Sequence, residues 1–368
     1  MRKIRYAIIG FGGIAENRIA KEGFGIDKGR FAGHPLARLI GVADTNPARK
    51  EAAAKLARRG GLGLKWYDSV EEILGDPQVE AVFIATNNRS HAPIAEKAIQ
   101  AGKHCLIEKP ISTTLADARR LQQLARQQQL SLAVDHMMTE NVYNRRARDL
   151  IQQGVIGQVS DIVLHMEFCY GSTPQEAAAW RCADPREIGG PIGDVGSHCL
   201  YMAEFLLDCG VESLSCVYTP RTLDIAVENG AYVQFRMKDG TQGTIRVAFN
   251  QPAGALAGQP RGGLAGTLTN LGYEVYGAEG IIRGYATLFQ LSGHPGEPVE
   301  VRLEVDKFGV TEKVEIDEVR NIYQAVIAGH AQSILDGRPL DAADALHNLE
   351  LILGCYQSAN QQGQIVTF

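Results

Sequence analysis

The sequence predicts a two-domain α/β protein: a doubly wound parallel sheet first, then an α+β domain built on a mainly antiparallel open sheet. Three observations carry this. Over residues 1–135, short continuous apolar runs alternate with helical patterns. Beyond Asp135, strand-like segments alternate apolar and polar residues with a period of two. At 368 residues the chain is also too long for one typical core and suits two. The domains are expected at 1–135 and 136–368, with the closing helices free to pack back on the first.

The apolar runs of the first domain are Tyr6–Ile9, Leu39–Ala43, Ala81–Ala85, His104–Ile107 and Leu130–Val134. They are continuous, as strands buried on both faces require. Between them, Leu115, Ala118, Leu121 and Ala125 recur at helical spacing, and Thr114 with Asp117 forms a variant capping box. After Asp135 a helix over about 142–153 ends at Gly154, a natural C′ glycine.

In the second domain Ile162, Leu164, Met166 and Phe168 share one strand face. Val233, Phe235 and Met237 share another, and Ile245, Val247 and Phe249 a third, with a hairpin turn at Lys238-Asp239-Gly240 between those two. Residues 251–270, rich in Gly, Ala and Pro, suit a mobile loop or an arm reaching a neighbour. Two helices close the chain near 317–336 and 341–357. The second places Leu346, Leu349, Leu353 and Tyr356 on one face and has Asp341 as its N-cap.

Composition narrows the function. A formal net charge of -5 argues against a nucleic-acid surface, which needs clustered positive charge. No stretch approaches the roughly 20 apolar residues of a membrane span, and the apolar N-terminus is broken by glycines without a cleavage pattern. Seven cysteines, an odd number without C-x-x-C spacing, suit reduced thiols in a cytoplasmic protein with no metal site.

Gly10-Phe11-Gly12-Gly13-Ile14-Ala15 follows the first strand and fits G-x-G-x-x-[G/A]. The first glycine permits a tight turn, the second lets the backbone approach a pyrophosphate, and the small last residue lets helix and strand pack closely. Free N–H groups at the helix start then face the phosphates. In a chain that otherwise alternates strand and helix, this turn makes the first domain a dinucleotide-binding Rossmann domain. Asp44, ending the second strand, is placed to accept ribose hydroxyls and to repel a 2′-phosphate, favouring NAD over NADP. Arg49 and Lys50 are the nearby cations that would serve NADP. Asp44 lies further past the turn than the usual interval of about 20 residues, which places an insertion at 22–30.

The fifth strand ends in Glu108-Lys109-Pro110, and proline holds the residue before it extended. Lys109 is thus fixed at the carboxyl end of the sheet, where open α/β sheets bind ligands and where an ammonium can stabilise an alkoxide. In the second domain, Gly189-Gly190-Pro191-Ile192-Gly193-Asp194-Val195-Gly196-Ser197-His198 starts a helix. If the helix begins near Asp194, that carboxylate and His198 share a face and make a carboxylate–imidazole pair for proton uptake. A surface Glu–Lys pair, and an N-cap beside a half-buried histidine, are the plainer readings of each motif alone.

Taken together these motifs resemble the Gfo/Idh/MocA oxidoreductase family, named for glucose–fructose oxidoreductase, inositol dehydrogenase and rhizopine catabolism proteins. The matching segments run in order: 10–15, Asp44, TNNRSH at 86–91, AGKHCLIEKP at 101–110, LIQQGVIGQV at 150–159, Trp180-Arg181, and 189–198. The resemblance implies hydride transfer between NAD and a hydroxyl-bearing carbon of a sugar, sugar derivative or cyclitol. His198 would be the base, Asp194 its orienter or a substrate ligand, and Lys109 the group on the reacting oxygen. Thr86, Asn88, His91 and Glu108 would line the nicotinamide side, with Trp180 and Arg181 closing over the cofactor. It also implies homodimers or homotetramers.

Two departures stand out. Asn87 occupies a position where the family usually has proline. Asp135-His136-Met137-Met138-Thr139-Glu140-Asn141 replaces a segment that usually holds an arginine, an aromatic residue and a proline, which makes His136 and Asn141 candidate substrate contacts. Two other activities fit the same resemblance: a glycoside hydrolase that retains NAD, and a regulatory relative that binds cofactor without catalysis.

Overall fold

The structure, a computed structural model, describes residues 2–60, 63–251, 271–297 and 299–368. The chain divides into two compact units, Met1–Met137 with Asn321–Leu349, and Met138–Arg320 with Glu350–Phe368.

The first unit holds a six-stranded sheet of β1 (Ile4–Ile9), β2 (Ala37–Ala43), β3 (Lys65–Trp66), β4 (Ala81–Ile84), β5 (His104–Ile107) and β6 (Leu132–Val134). All pairs are parallel, in the order β3-β2-β1-β4-β5-β6. That order reverses direction between β1 and β4, the point where doubly wound sheets bind ligands. Five of the strands carry the expected apolar runs, and β1 and β4 are buried almost throughout. β3 was not expected, since a two-residue Lys-Trp strand has no apolar run.

Thr114 caps the helix Leu115–Gln127 by accepting the Asp117 N–H, while its hydroxyl donates back to the Asp117 carboxylate. The insertion at 22–30 leads into a segment tied to the helix Ile322–Leu335. Asn321 donates to the Glu22 carboxylate, and Gln324 donates to Ala32 O at 2.8 Å. Asp341 accepts the Ala343 N–H at the start of the helix Ala343–Asn360 and also pairs with Arg126. The buried face of that helix is rotated from the expected one: Leu349, Leu351, Ile352 and Cys355 are fully buried, whereas Leu346, Leu353 and Tyr356 are only partly so.

The second unit holds a nine-stranded sheet of β7 (Val159–Glu167), β8 (Val211–Tyr218), β9 (Gly230–Met237), β10 (Gln242–Ala248), β11 (Leu271–Gly277), β12 (Gly280–Tyr285), β13 (Arg302–Lys307), β14 (Val310–Lys313) and β15 (Val366–Thr367). Its order is β14-β13-β12-β11-β7-β10-β9-β8-β15, antiparallel except where β7 pairs with β10. The expected alternation holds: Val233, Phe235 and Met237 are buried, and Tyr232, Gln234 and Arg236 are exposed. The helices Val142–Gln152 and Ser197–Leu207 cover the buried face. Gly154 takes φ +71°, as a C′ glycine should. The Gly/Ala-rich stretch at 252–270 lies outside the described residues, and no helix among the described residues is long and apolar enough to cross a membrane.

Candidate active site

In the first unit, parallel pairing aligns the carboxyl ends of the central strands along one edge. Gly10 N–H bonds Ala43 O, Ala85 N–H bonds Ile9 O, Glu108 N–H bonds Ile84 O, and Asp135 N–H bonds Ile107 O, all at 2.8–2.9 Å. Gly10, Asp44, Thr86, Lys109 and His136 therefore all lie on or just past this edge. Gly10 has φ +88°, and a Cβ there would sit 2.7 Å from Ala85 O, so the turn into β4's neighbourhood admits only glycine. At Gly12 and Gly13 an added Cβ would meet nothing within 4 Å. The backbone beyond the first glycine thus faces open space, which fits a pyrophosphate, and the helix Ala15–Gly23 continues from Ile14.

Asp44 Oδ2 accepts the Phe11 N–H at 2.6 Å, and Oδ1 accepts the Asn46 N–H at 2.7 Å. The acid of β2 is thereby locked onto the turn of β1. Arg49 is drawn to the same place but already has partners: Nε donates to Phe11 O, and Nη2 lies 2.6 Å from Glu16. Lys50 pairs with Asp68 at 3.4 Å.

Past β4, Asn87 takes φ -71°, a value that a proline could also adopt. Asn88 opens the helix Asn88–Gln100 and is nearly buried. His91 is fully buried and links two strand ends: Nδ1 lies 2.8 Å from Pro110 O and Nε2 3.3 Å from Thr86 O. Both partners are backbone carbonyl oxygens, which can only accept. Lys109 is half-buried, joined to Pro110 by a cis peptide, and its N–H donates to Glu108 Oε2.

Asp135, which the sequence marked only as a boundary, is a further member of this edge. Its side chain is wholly buried, and its carboxyl is pushed well above the usual range by burial and then by the Glu108 charge, against the pull of Lys109. His136 Nδ1 lies 3.1 Å from Asp344 Oδ2.

In the second unit, Trp180 and Arg181 open a short helix, with the guanidinium 4.3 Å from the Trp180 ring centre. Arg181 Nε also lies 3.5 Å from Asp194 Oδ1. A wide-turned segment, Ile192–Gly196, runs directly into the helix Ser197–Leu207. Its entry is pinned by Glu228, whose Oε1 accepts the Ile192 N–H at 2.9 Å and the Tyr356 hydroxyl at 3.2 Å. Burial raises the Glu228 carboxyl above its usual range.

The helical path differs from the one expected, since wide turns precede the regular helix. His198 is 3% exposed, and its Nδ1 lies 2.7 Å from the Tyr201 hydroxyl. Tyr201 and Glu228 escaped the sequence reading, although the i, i+3 spacing of His198 and Tyr201 was visible in it. Asn141 is 1% exposed, accepts the Tyr143 N–H and donates to Leu291 O. Its side chain is the N-cap of the helix Val142–Gln152.

Comparison with known proteins gives the context for these residues. The Gfo/Idh/MocA model described as an oxidoreductase family with an NAD-binding Rossmann fold matches residues 4–136. The GFO/IDH/MocA C-terminal domain matches residues 144–283. The chain is 31% identical over 242 residues to the 1,5-anhydro-D-fructose reductase of Ensifer adhaerens, across 65% of this chain and 67% of the relative. It is 30% identical to the levoglucosan dehydrogenase of Pseudarthrobacter phenanthrenivorans, across 45% of this chain and 42% of the relative. In fold it is similar to the aldose-aldose oxidoreductase of Caulobacter crescentus, with TM-score 0.81, 21% identity and full coverage of both chains. It is similar too to a 3-ketoreductase from Actinomadura kijaniata solved with NADP, with TM-score 0.77, 20% identity, and 97% and 98% coverage. Two models of one family, matched in order over 4–136 and 144–283, do not arise from a shared fold alone: this chain belongs to the Gfo/Idh/MocA oxidoreductase family.

Proposed function

We propose that this NAD(P)-dependent oxidoreductase moves a hydride between NAD and a carbinol carbon of a sugar, a sugar derivative or a cyclitol. The observation that carries the reading is the single edge on which the glycine turn, Thr86 and Lys109-Pro110 lie, with His91 bonded to both strand ends. Residues 10–15 hold the pyrophosphate and Asp44 the adenosine ribose. Thr86, Asn88, His91 and Glu108 belong to the nicotinamide side, and Trp180 and Arg181 are further cofactor candidates. The cofactor supplies the hydride acceptor or donor.

The chain's own chemistry is proton and charge management at one oxygen. A carbinol carbon gives up hydride only as its hydroxyl proton departs. Lys109 stabilises the oxygen as charge develops on it, and His198 takes the proton. Asp194, beside Arg181, orients His198 or helps bind the substrate, and His136 and Asn141 are further substrate candidates. NAD is favoured over NADP because Asp44 is fixed at the turn while Arg49 is already neutralised by Glu16.

A homodimer or homotetramer covering the open sheet face fits the exposure there of Val217 and Tyr232, which lie opposite each other on β8 and β9. Seven free cysteines fit a cytoplasmic protein.

The test is a screen of free sugars, anhydrosugars, sugar acids and cyclitols with NAD, read as NADH absorbance. Accumulation of NADH with one class supports the reading. Sugar release from glycosides without net NADH would replace it with redox-neutral cleavage. Cofactor binding with no turnover in either direction would leave a binding protein.

A further inference from the structure

We propose that Asp135 and Glu108 form a carboxyl pair holding one proton at neutral pH, carried by Asp135, so that the pair sets one negative charge beside the Lys109 ammonium. Its bearing on hydride transfer rests on the reading of Lys109 as the group on the reacting oxygen. The pair follows from register. Ile107 of β5 lies opposite Val134 of β6, and the Asp135 N–H bonds Ile107 O at 2.8 Å, which carries the parallel pairing one residue further. Glu108 and Asp135 are therefore neighbours at the ends of adjacent strands, which run about 4.8 Å apart. Of the charges that act on the Asp135 carboxyl, Glu108 comes first and Lys109 second.

The two acids differ in setting, and that decides which one keeps the proton. Glu108 is half-buried, and its Oε2 accepts the Lys109 N–H. Asp135 is 0% exposed, and neither of its carboxyl oxygens has a hydrogen-bond partner among the described residues. A carboxylate there would be a buried charge without hydrogen bonds, which a protein interior avoids by keeping the group neutral. A second acid alongside disfavours its ionisation further. The helix Ile322–Leu335 contains no lysine or arginine to offset this. Its first turn brings Tyr323, fully buried, with a hydroxyl likewise unpartnered among the described residues and a phenol that burial pushes well above its usual range. The next charges around Tyr323, Arg18 and Glu22, pair with each other at 2.8 Å, and His136 bonds Asp344. Lys109 pulls toward ionisation, but burial and Glu108 outweigh it. Were both acids ionised, two negative charges would offset the ammonium. With Asp135 neutral, more of the ammonium's field reaches the oxygen on which charge develops.

The experiment is infrared difference spectroscopy of the full-length protein at pH 7, grown with and without ¹³C-aspartate, with no substrate added. The expected spectrum holds the C=O band of a protonated carboxylic acid, moved to lower frequency by the label and lost in Asp135→Asn. A wild type with no protonated aspartate band overturns the proposal without any variant, as does a band that survives in folded Asp135→Asn. Melting curves give a second reading, because the amide copies the neutral acid but cannot titrate. Above the ordinary aspartate pKa of about 3.9 the unfolded wild type releases a proton that the folded one keeps. Wild type should therefore lose Tm relative to Asp135→Asn as the pH rises from 4 to 7. A flat or opposite slope marks Asp135 as ionised in the folded protein and overturns the proposal. The hydride-transfer reading is decided separately, by turnover of Lys109→Ala. Activity near wild type there removes the catalytic meaning of the pair and leaves its charge state standing.

Discussion

The Asp44 carboxylate accepts the backbone N–H of Phe11 at 2.6 Å, so the acid ending β2 closes the glycine turn that follows β1. One side chain thus does two things. It holds the turn in shape, and on the proposed reading it is also the carboxylate that meets the adenosine ribose.

Cofactor choice should follow from that charge. Titrations read by tryptophan fluorescence are expected to show tighter binding of NADH than of NADPH. Asp44→Ser should narrow the ratio by about tenfold, since the hydroxyl can still accept a bond but no longer repels phosphate. Equal binding of both cofactors by the wild type would mean that Arg49 leaves Glu16 to meet the phosphate.

Lys109→Ala should lose turnover by about 10²–10³-fold while its NAD dissociation constant stays within a few-fold of wild type. The split between turnover and binding is the informative part. A lysine that merely paired with Glu108 at the surface would leave turnover near normal.

Acid should weaken the first unit through two buried histidines. Burial, the largest cause in each case, lowers His330 to about 3 and His34 to about 4. In the unfolded chain both titrate near 6.5. Their contribution is therefore complete above pH ~6.5 and falls away as the pH drops toward the folded values, because the unfolded chain binds the extra protons. Melting curves should show Tm falling from pH 7 to pH 4.5. His330→Gln, which also loses the Tyr6 bond, should start lower and fall less steeply. An equal slope in both proteins would rule His330 out as a contributor.

Gly193→Ala tests the segment that leads into the His198 helix. A Cβ at Gly193 would lie 1.8 Å from Ile188 O, which is backbone and cannot swing aside. Ile188 is itself held at φ +45°, costly for a β-branched residue. The substitution should cost about 1–3 kcal/mol and several degrees of Tm. Unchanged melting would show that the 188–193 segment relaxes freely.

The sequence by itself determined the elements whose signals are local. Five strands of the first sheet and the alternating faces of β7, β9 and β10 could be seen because burial imposes its period on neighbouring residues, and the glycine turn because its backbone conformation asks for glycine. The cap at Thr114 was visible because its partner, the Asp117 N–H, lies only three residues away. What only the tertiary structure decided is which distant partner covers each face. The parallel pairing of β7 with β10, the docking of Asn321–Leu349 on the first unit and the turned face of the last helix all depend on residues far along the chain. The site divides in the same way. Residue types and spacing brought out Lys109, Asp194 and His198, but the Tyr201 hydroxyl on the His198 ring, the Glu228 carboxylate on the helix entry and the dry burial of Asp135 come from packing. A periodic pattern records that a side chain is buried; only the folded chain supplies the atom it is buried against.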